Sequence, residues 1–135
     1  MSSYPVILYV EDEPKSRRVM QMIGSDMGLE HLTVFENSAD FLNRVKALSP
    51  KPDIVFLDIH VKPYTGFEML KMLRESVEFA GIPVVAITAS VMNEEIGQLR
   101  TAGFDGCIAK PLDMDTFPDT LNRILKGEVV WRVIN

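Results

Sequence analysis

Short apolar runs and stretches of helical period alternate along the chain. The runs are VILYV (6–10), HLTVF (31–35), IVFL (54–57), VVAI (84–87) and the weaker GCIA (106–109). All but the second lack polar alternates, the pattern of parallel strands covered by helices on both faces. HLTVF alternates more and reads as an edge strand. Between the runs the period lengthens. Val19, Met22, Ile23 and Met27 share one helical face, with Pro14 suited to a first turn and Gly28 to a stop. Phe41, Leu42, Val45 and Leu48 follow Ser38, an N-cap by residue type, and precede Pro50. Leu70, Leu73 and Val77 mark a third helix. Met92, Ile96 and Leu99 mark a fourth that Gly103 ends. Phe117, Leu121 and Ile124 mark a fifth, with Asp113 and Asp115 as start candidates and Lys126 and Gly127 at its end.

Five strand–helix units of this kind make an α/β sandwich, a parallel sheet joined by right-handed crossovers with helices on both faces. Ligands of such sheets gather beyond the carboxyl ends of the strands, so the residues at those ends carry the information. The first strand runs into Glu11, Asp12 and Glu13, and the third stops on Asp58. The fourth ends in Thr88, Ala89 and Ser90, where Thr88 could also cap a helix, and the fifth in Lys110 and Pro111. If these strands are neighbours, one crevice holds several carboxylates, a hydroxyl and an ammonium. Two carboxylates ~4 Å apart repel by roughly 4 kcal/mol near a protein surface. A hard divalent cation held through oxygen offsets that cost, with Mg²⁺ the usual candidate, and Lys110 neutralises further. Such a site suits phosphoryl transfer to a carboxylate oxygen, with an acyl phosphate as product. The metal and Lys110 would stabilise the transferring oxygens, and the Thr88 hydroxyl could bond one of them. A rigid strand ending on Asp58 aims its carboxylate at one point.

Composition narrows the classes. A chain of 135 residues, 47% hydrophobic and 24% charged, is one globular domain that needs no staples. Its single cysteine, Cys107, rules out an internal disulfide, and the Met residues of the first and third helices read as core filling. The first apolar run has no basic residues before it and stops at Glu11, so it is neither a signal peptide nor a membrane span, and a cytoplasmic protein is expected. A net charge of -5 argues against nucleic acid as a main partner. No glycine-rich phosphate loop follows the first strand, which argues against a nucleotide- or flavin-binding protein. A dehalogenase-type hydrolase would need a second Asp two residues after Asp58, and that place holds His60.

At these strand ends the chain resembles the response-regulator receiver domains of two-component signalling, over roughly residues 5 to 126. The matching stretches are ILYVED, IVFLD, Gly66 eight residues after Asp58, ITA and AKPL. The resemblance implies a (βα)5 flavodoxin-like (CheY-like) fold with strand order 2-1-3-4-5. It implies that Asp58 takes a phosphoryl group from the phosphohistidine of a sensor histidine kinase or histidine phosphotransfer protein. Glu11 and Asp12 match the acidic pair, with Asp12 expected to touch Mg²⁺ directly together with Asp58 and the backbone carbonyl of His60. Thr88 and Lys110 match the phosphate contacts, Ala89 the small residue that leaves the phosphoryl group room, and Pro111 the lysine–proline bond that is often cis. The protein is then a switch or relay intermediate, supporting its own phosphotransfer and autodephosphorylation rather than turning over a substrate. A scaffold that works without phosphorylation is the alternative.

The sequence departs from that pattern in places. Lys62 stands where the family usually has Pro, and Pro63 follows it. His60 and Ser90 occupy positions that tune the lifetime of the phosphorylated form. Cys107 replaces the Tyr or Phe whose rotamer usually follows the threonine, so the output face signals otherwise or the output is onward phosphotransfer to an unknown downstream protein. Arg17 and Met20 of the first helix are candidates for facing the kinase, and His31 for a strand edge. The receiver domain is placed at 1–127. The remaining EVVWRVIN is an apolar tail too short for an output domain, suited to packing on its own domain, to a linker stub or to a partner contact.

Overall fold

Each apolar run becomes a strand. The computed structural model describes residues 5–89 and 91–132. In chain order these form β1 (Val6–Val10), α1 (Pro14–Met27), β2 (His31–Phe35), α2 (Phe41–Lys46), β3 (Ile54–Leu57) and α3 (Gly66–Glu75). There follow β4 (Val84–Thr88), α4 (Asn93–Ala102), β5 (Gly106–Ala109), α5 (Phe117–Leu125) and β6 (Val130–Arg132). The sheet order is β2-β1-β3-β4-β5-β6 and every pair is parallel. The expected 2-1-3-4-5 order therefore holds, with HLTVF at one edge and a sixth strand added at the other.

Alternation along the strands divides the core in two. Leu8 and Val10 of β1 face a cluster completed by Phe41 and Val45 of α2, Leu70 and Leu73 of α3, and Leu99 of α4. Ile7 and Tyr9 face the opposite cluster, with Met20 and Ile23 of α1 and Leu121 and Ile124 of α5. Each such buried side chain stabilises the fold by about 1.5–3 kcal/mol. Central strands covered on both faces have no room for polar alternates, which is why β3 and β4 are buried at every position.

Local chemistry differs from the sequence pattern at several helix ends. On α1 Met20, Ile23 and Gly24 are buried and Val19 and Met27 pack against the same cluster, while Met22 is 51% exposed. The buried face passes through Gly24 because the helix lies so close to β2 that a Cβ there would meet Leu32 Cδ2 at 2.7 Å. Met20 is thus core and unavailable to a partner. Ser38 does not cap α2; Asp40 stands at that position, with φ of 50° and no side-chain capping bond. Val77 lies beyond the end of α3 and is exposed, and Met92 is the exposed N-cap of α4. The N-cap of α4 is therefore Met92 and not Thr88. The N-cap of α5 is Thr116 rather than Asp113 or Asp115, although the Asp113 carbonyl accepts the Phe117 N–H at 2.9 Å. α3 begins on a capping box, with Thr65 Oγ1 accepting from Glu68 N–H and Glu68 Oε1 accepting from Thr65 N–H. That cap is worth about 1 kcal/mol.

Cys107 is buried in mid-strand on β5, and burial pushes its thiol up to about 12. Only the thiolate is nucleophilic. The native protein is therefore expected to resist iodoacetamide at about pH 8 and to take up one alkyl group per chain only after unfolding. Intact mass measured with and without denaturant reads this directly, and rapid alkylation of the folded chain would contradict it.

Candidate functional site

The ends of four adjacent strands build one acidic pocket. Backbone pairing carries each chain one residue past its strand. Asp58 N–H donates to the Val10 carbonyl at 3.0 Å and Lys110 N–H to the Thr88 carbonyl at 3.0 Å, while Glu11 N–H donates to Phe35 at 2.9 Å. Glu11, Asp58, Thr88 and Lys110 are thereby fixed at the same edge of the sheet. Glu11 is fully buried, Asp58 is 5% exposed and Thr88 is buried, whereas Asp12 is exposed at the rim. Carboxylate oxygens of Glu11, Asp12 and Asp58 lie within 4.8 Å of one another.

Lys110 joins the two buried acids. Its Nζ lies 2.6 Å from Glu11 Oε1 and 3.4 Å from Asp58 Oδ2. Glu11 is further engaged inside the protein. Its Oε1 accepts the Tyr9 hydroxyl at 2.7 Å and its Oε2 accepts the Glu13 N–H at 3.1 Å. Burial pushes the Glu11 carboxyl above the ordinary range, Asp58 adds to that, and Lys110 and Tyr9 pull it back in part. Burial alone would lower Lys110, but Glu11 and Asp58 more than reverse it, so the ammonium is held above its usual range. Burial and the Glu11 carboxylate together raise the Tyr9 hydroxyl, which stays a donor.

The pocket fits a hard divalent cation. Its donors are carboxylate oxygens, the ligands Mg²⁺ prefers, and they already converge. Because Glu11 has three donors on its two oxygens, Asp12 and Asp58 have the more ligand capacity left. His60 N–H lies 3.4 Å from Asp58 Oδ1 and the imidazole is exposed. Ala89 is exposed at the end of β4, the Lys110–Pro111 bond is cis, and Ser90 lies outside the described residues.

Three contributors lie outside the strand-end motifs. Tyr9 is two residues before Glu11 on the same side of β1, and its being the single hydroxyl in an apolar run was the available signal. Arg17 is half-buried, donating to the Glu11 carbonyl at 3.1 Å and pairing with the exposed Glu36 at 3.3 Å. Ser38 is buried against the loop after Asp58. An apolar hollow of about 420 Å³ opens beside Lys110, lined by Tyr9, Lys15, Val19, Ala89, Pro111 and Leu112.

The profile of the response regulator receiver domain matches residues 7–122. The chain belongs to that family. Receiver domains are signalling modules that interact with histidine kinases or phosphotransfer proteins. Among relatives, a nitrate/nitrite response regulator protein homolog of Haemophilus influenzae is 30% identical over 125 residues, covering 92% of this chain. The receiver spans only 58% of that relative's length. The polar-differentiation response regulator DivK of Brucella anthropi is 26% identical over 119 residues, 88% of this chain and 94% of its own. Among solved structures, the receiver domain of a Pseudomonas aeruginosa sensor histidine kinase, with a magnesium ion coordinated in its active site cleft, superposes with a TM-score of 0.80. It is 19% identical and covers 93% of this chain and 100% of its own, which shows the shared fold. Among the described residues no helix is long and apolar enough to cross a membrane.

Proposed function

We propose that this receiver domain accepts a phosphoryl group on Asp58 from a phosphohistidine of a sensor kinase or phosphotransfer protein in the cytoplasm. It then serves as a switch or relay intermediate for a downstream protein. One observation carries the reading: a lysine ammonium lies within reach of the acceptor carboxylate in a pocket where two further carboxylates converge. In the transfer, an Asp58 oxygen forms the new bond to phosphorus as the bond to the imidazole nitrogen breaks. The electron pair of that bond stays with the imidazole, and the product is an acyl phosphate.

The residues of this chain have separate parts in that step. Asp12, Asp58 and the His60 carbonyl would hold Mg²⁺, which supplies charge compensation for the phosphoryl oxygens when bound. Lys110 moves from its carboxylates toward the incoming oxygens, and the Thr88 hydroxyl donates to one of them. Ala89 leaves space for the group. His60, and by its place in the sequence Ser90, would set how readily water reaches the acyl phosphate. The aromatic switch of the family has no ring at Cys107, so we place the output elsewhere on the surface.

The test is intact-mass spectrometry after incubation with acetyl phosphate. One phosphoryl increment is expected with Mg²⁺, little without it, and none in Asp58→Asn. Equal labelling of Asp58→Asn would move the acceptor elsewhere. No labelling of the native chain by acetyl phosphate or by a phosphohistidine donor would favour the scaffold reading.

A further inference from the structure

The turn between β2 and α2 reaches across to the loop after Asp58 through one side chain. Ser38 is fully buried, and its hydroxyl donates to the Tyr64 carbonyl at 2.7 Å while accepting the Tyr64 N–H at 2.6 Å. Its own N–H donates to the Lys62 carbonyl at 3.2 Å. Between these two anchors lies Pro63, which has no N–H to offer any other partner. One serine thus satisfies both polar backbone groups of Tyr64 and the carbonyl of Lys62.

The other end of the loop is closed separately. Gly66 N–H donates to the Ile59 carbonyl at 3.0 Å, and a Cβ on Gly66 would meet the Asp58 carbonyl oxygen at 3.0 Å. His60 sits in the arc between the Ile59 closure and the Lys62 anchor. Carbonyl ligands of Mg²⁺ must be placed tightly, because the ion demands near-ideal octahedral geometry. A clamp on the arc is therefore a clamp on the ligand.

We infer that Ser38 is a positioning residue for the divalent-cation site: it fixes residues 60–64 and so steadies the His60 backbone, whose N–H lies 3.4 Å from Asp58 Oδ1 and whose carbonyl the proposed metal site would use. The inference rests on the metal site proposed above. Partners that orient metal ligands typically change affinity by about 10–100-fold when removed. Ser38 acts through backbone it touches at three points, so about a tenfold weakening is expected for Ser38→Ala.

The experiment is a MgCl₂ titration followed by amide chemical shifts of the native chain, Ser38→Ala, Ser38→Thr and Asp12→Asn. Ser38→Ala should raise the Mg²⁺ Kd about tenfold, with Ser38→Thr, which keeps the hydroxyl, closer to the native value. Ile54→Val, remote from the site at the start of β3, serves as the stability control; it should lower the melting temperature without changing the Kd. A Ser38→Ala Kd equal to the native one overturns the inference. If Ser38→Ala fails to fold, Ser38→Gly is titrated in its place under the same criterion. If the native chain shows no saturable Mg²⁺ shifts that Asp12→Asn removes, the metal-site reading itself fails, and the positioning role falls with it.

Discussion

Lys110→Ala is expected to reduce acetyl-phosphate labelling of Asp58 by about 10²–10³-fold, the usual loss when one preorganised donor to a developing oxyanion is removed. It should also destabilise the unphosphorylated protein. Lys110 Nζ is the one cation in contact with both Glu11 and Asp58 among the described residues, and Glu11 is fully buried. Removing one partner from a buried pair costs about 3–5 kcal/mol. The lower end, about 3 kcal/mol, is expected here because Tyr9 and the Glu13 N–H still reach Glu11.

The loss depends on pH, and its sign follows from Glu11. A carboxyl raised in the folded state gives stability that is fully present below its unfolded value of 4.5 and is lost as pH rises through the folded value. Lys110 is one of the groups holding Glu11 down, so its removal lifts the folded value further and widens that window. The lysine's own contribution is present below 10.5 and is lost only as pH rises through its folded value. The gap in melting temperature between native and Lys110→Ala proteins should therefore be small near pH 4.5 and grow toward neutrality. A gap of constant size across that range would show that Glu11 is not the group left exposed to the loss.

How much of this was legible beforehand depended on which force decided each feature. The five strands and the strand-end residues could be read because burial on both faces leaves almost wholly apolar runs in β1, β3, β4 and β5, so the first polar residue at or just past each run marks the strand's end. On α1 the pattern places Val19, Ile23 and Met27 on the core side as the structure does, but it also counts Met22, which is exposed, and misses Met20 and Gly24. Gly24 has no side chain for a pattern to count, yet it faces Leu32 closely enough that a Cβ would meet it. Ser38 has the residue type of a helix cap but spends its hydroxyl on Tyr64, 26 residues away. No local signal distinguishes those uses. Tyr9 was hidden for the opposite reason, as its ring belongs to the core and only its oxygen belongs to the site. The pairing of Glu11 with Lys110 depends on β1 and β5 being assembled into one sheet, which a linear pattern expresses only as an order of motifs.

The strand least visible in the sequence leads to the second large effect, since Gly106→Ala is expected to dislodge β6. In the ladder Gly106 pairs with Val130 and Cys107 with Trp131. A Cβ on residue 106 would lie 2.3 Å from the Val130 carbonyl oxygen, and that neighbour is backbone, which cannot swing aside as a side chain can. Glycine in a strand marks such a close approach. Val130 is buried against Ile124 and Ile108, while Trp131 packs on the opposite cluster under the Arg100 guanidinium, 4.4 Å from its ring. Losing the strand forfeits the Val130 burial and part of the Trp131 contact, about 2 kcal/mol together. For a chain of this length that corresponds to a fall of roughly 6–10 °C in melting temperature. The single tryptophan reports the cause as well as the size. Emission should shift to the red in the folded variant, as Trp131 leaves its packed site for water, while the remaining sheet keeps its circular dichroism. An unshifted emission spectrum together with an unchanged melting temperature would mean that β6 tolerates the methyl group and that its backbone does not lie where the pairing places it. A Trp131→Ala chain separates the two contributions. It removes the ring but leaves Val130 and Gly106 in contact, so it should lose less stability than Gly106→Ala if the backbone approach holds the strand.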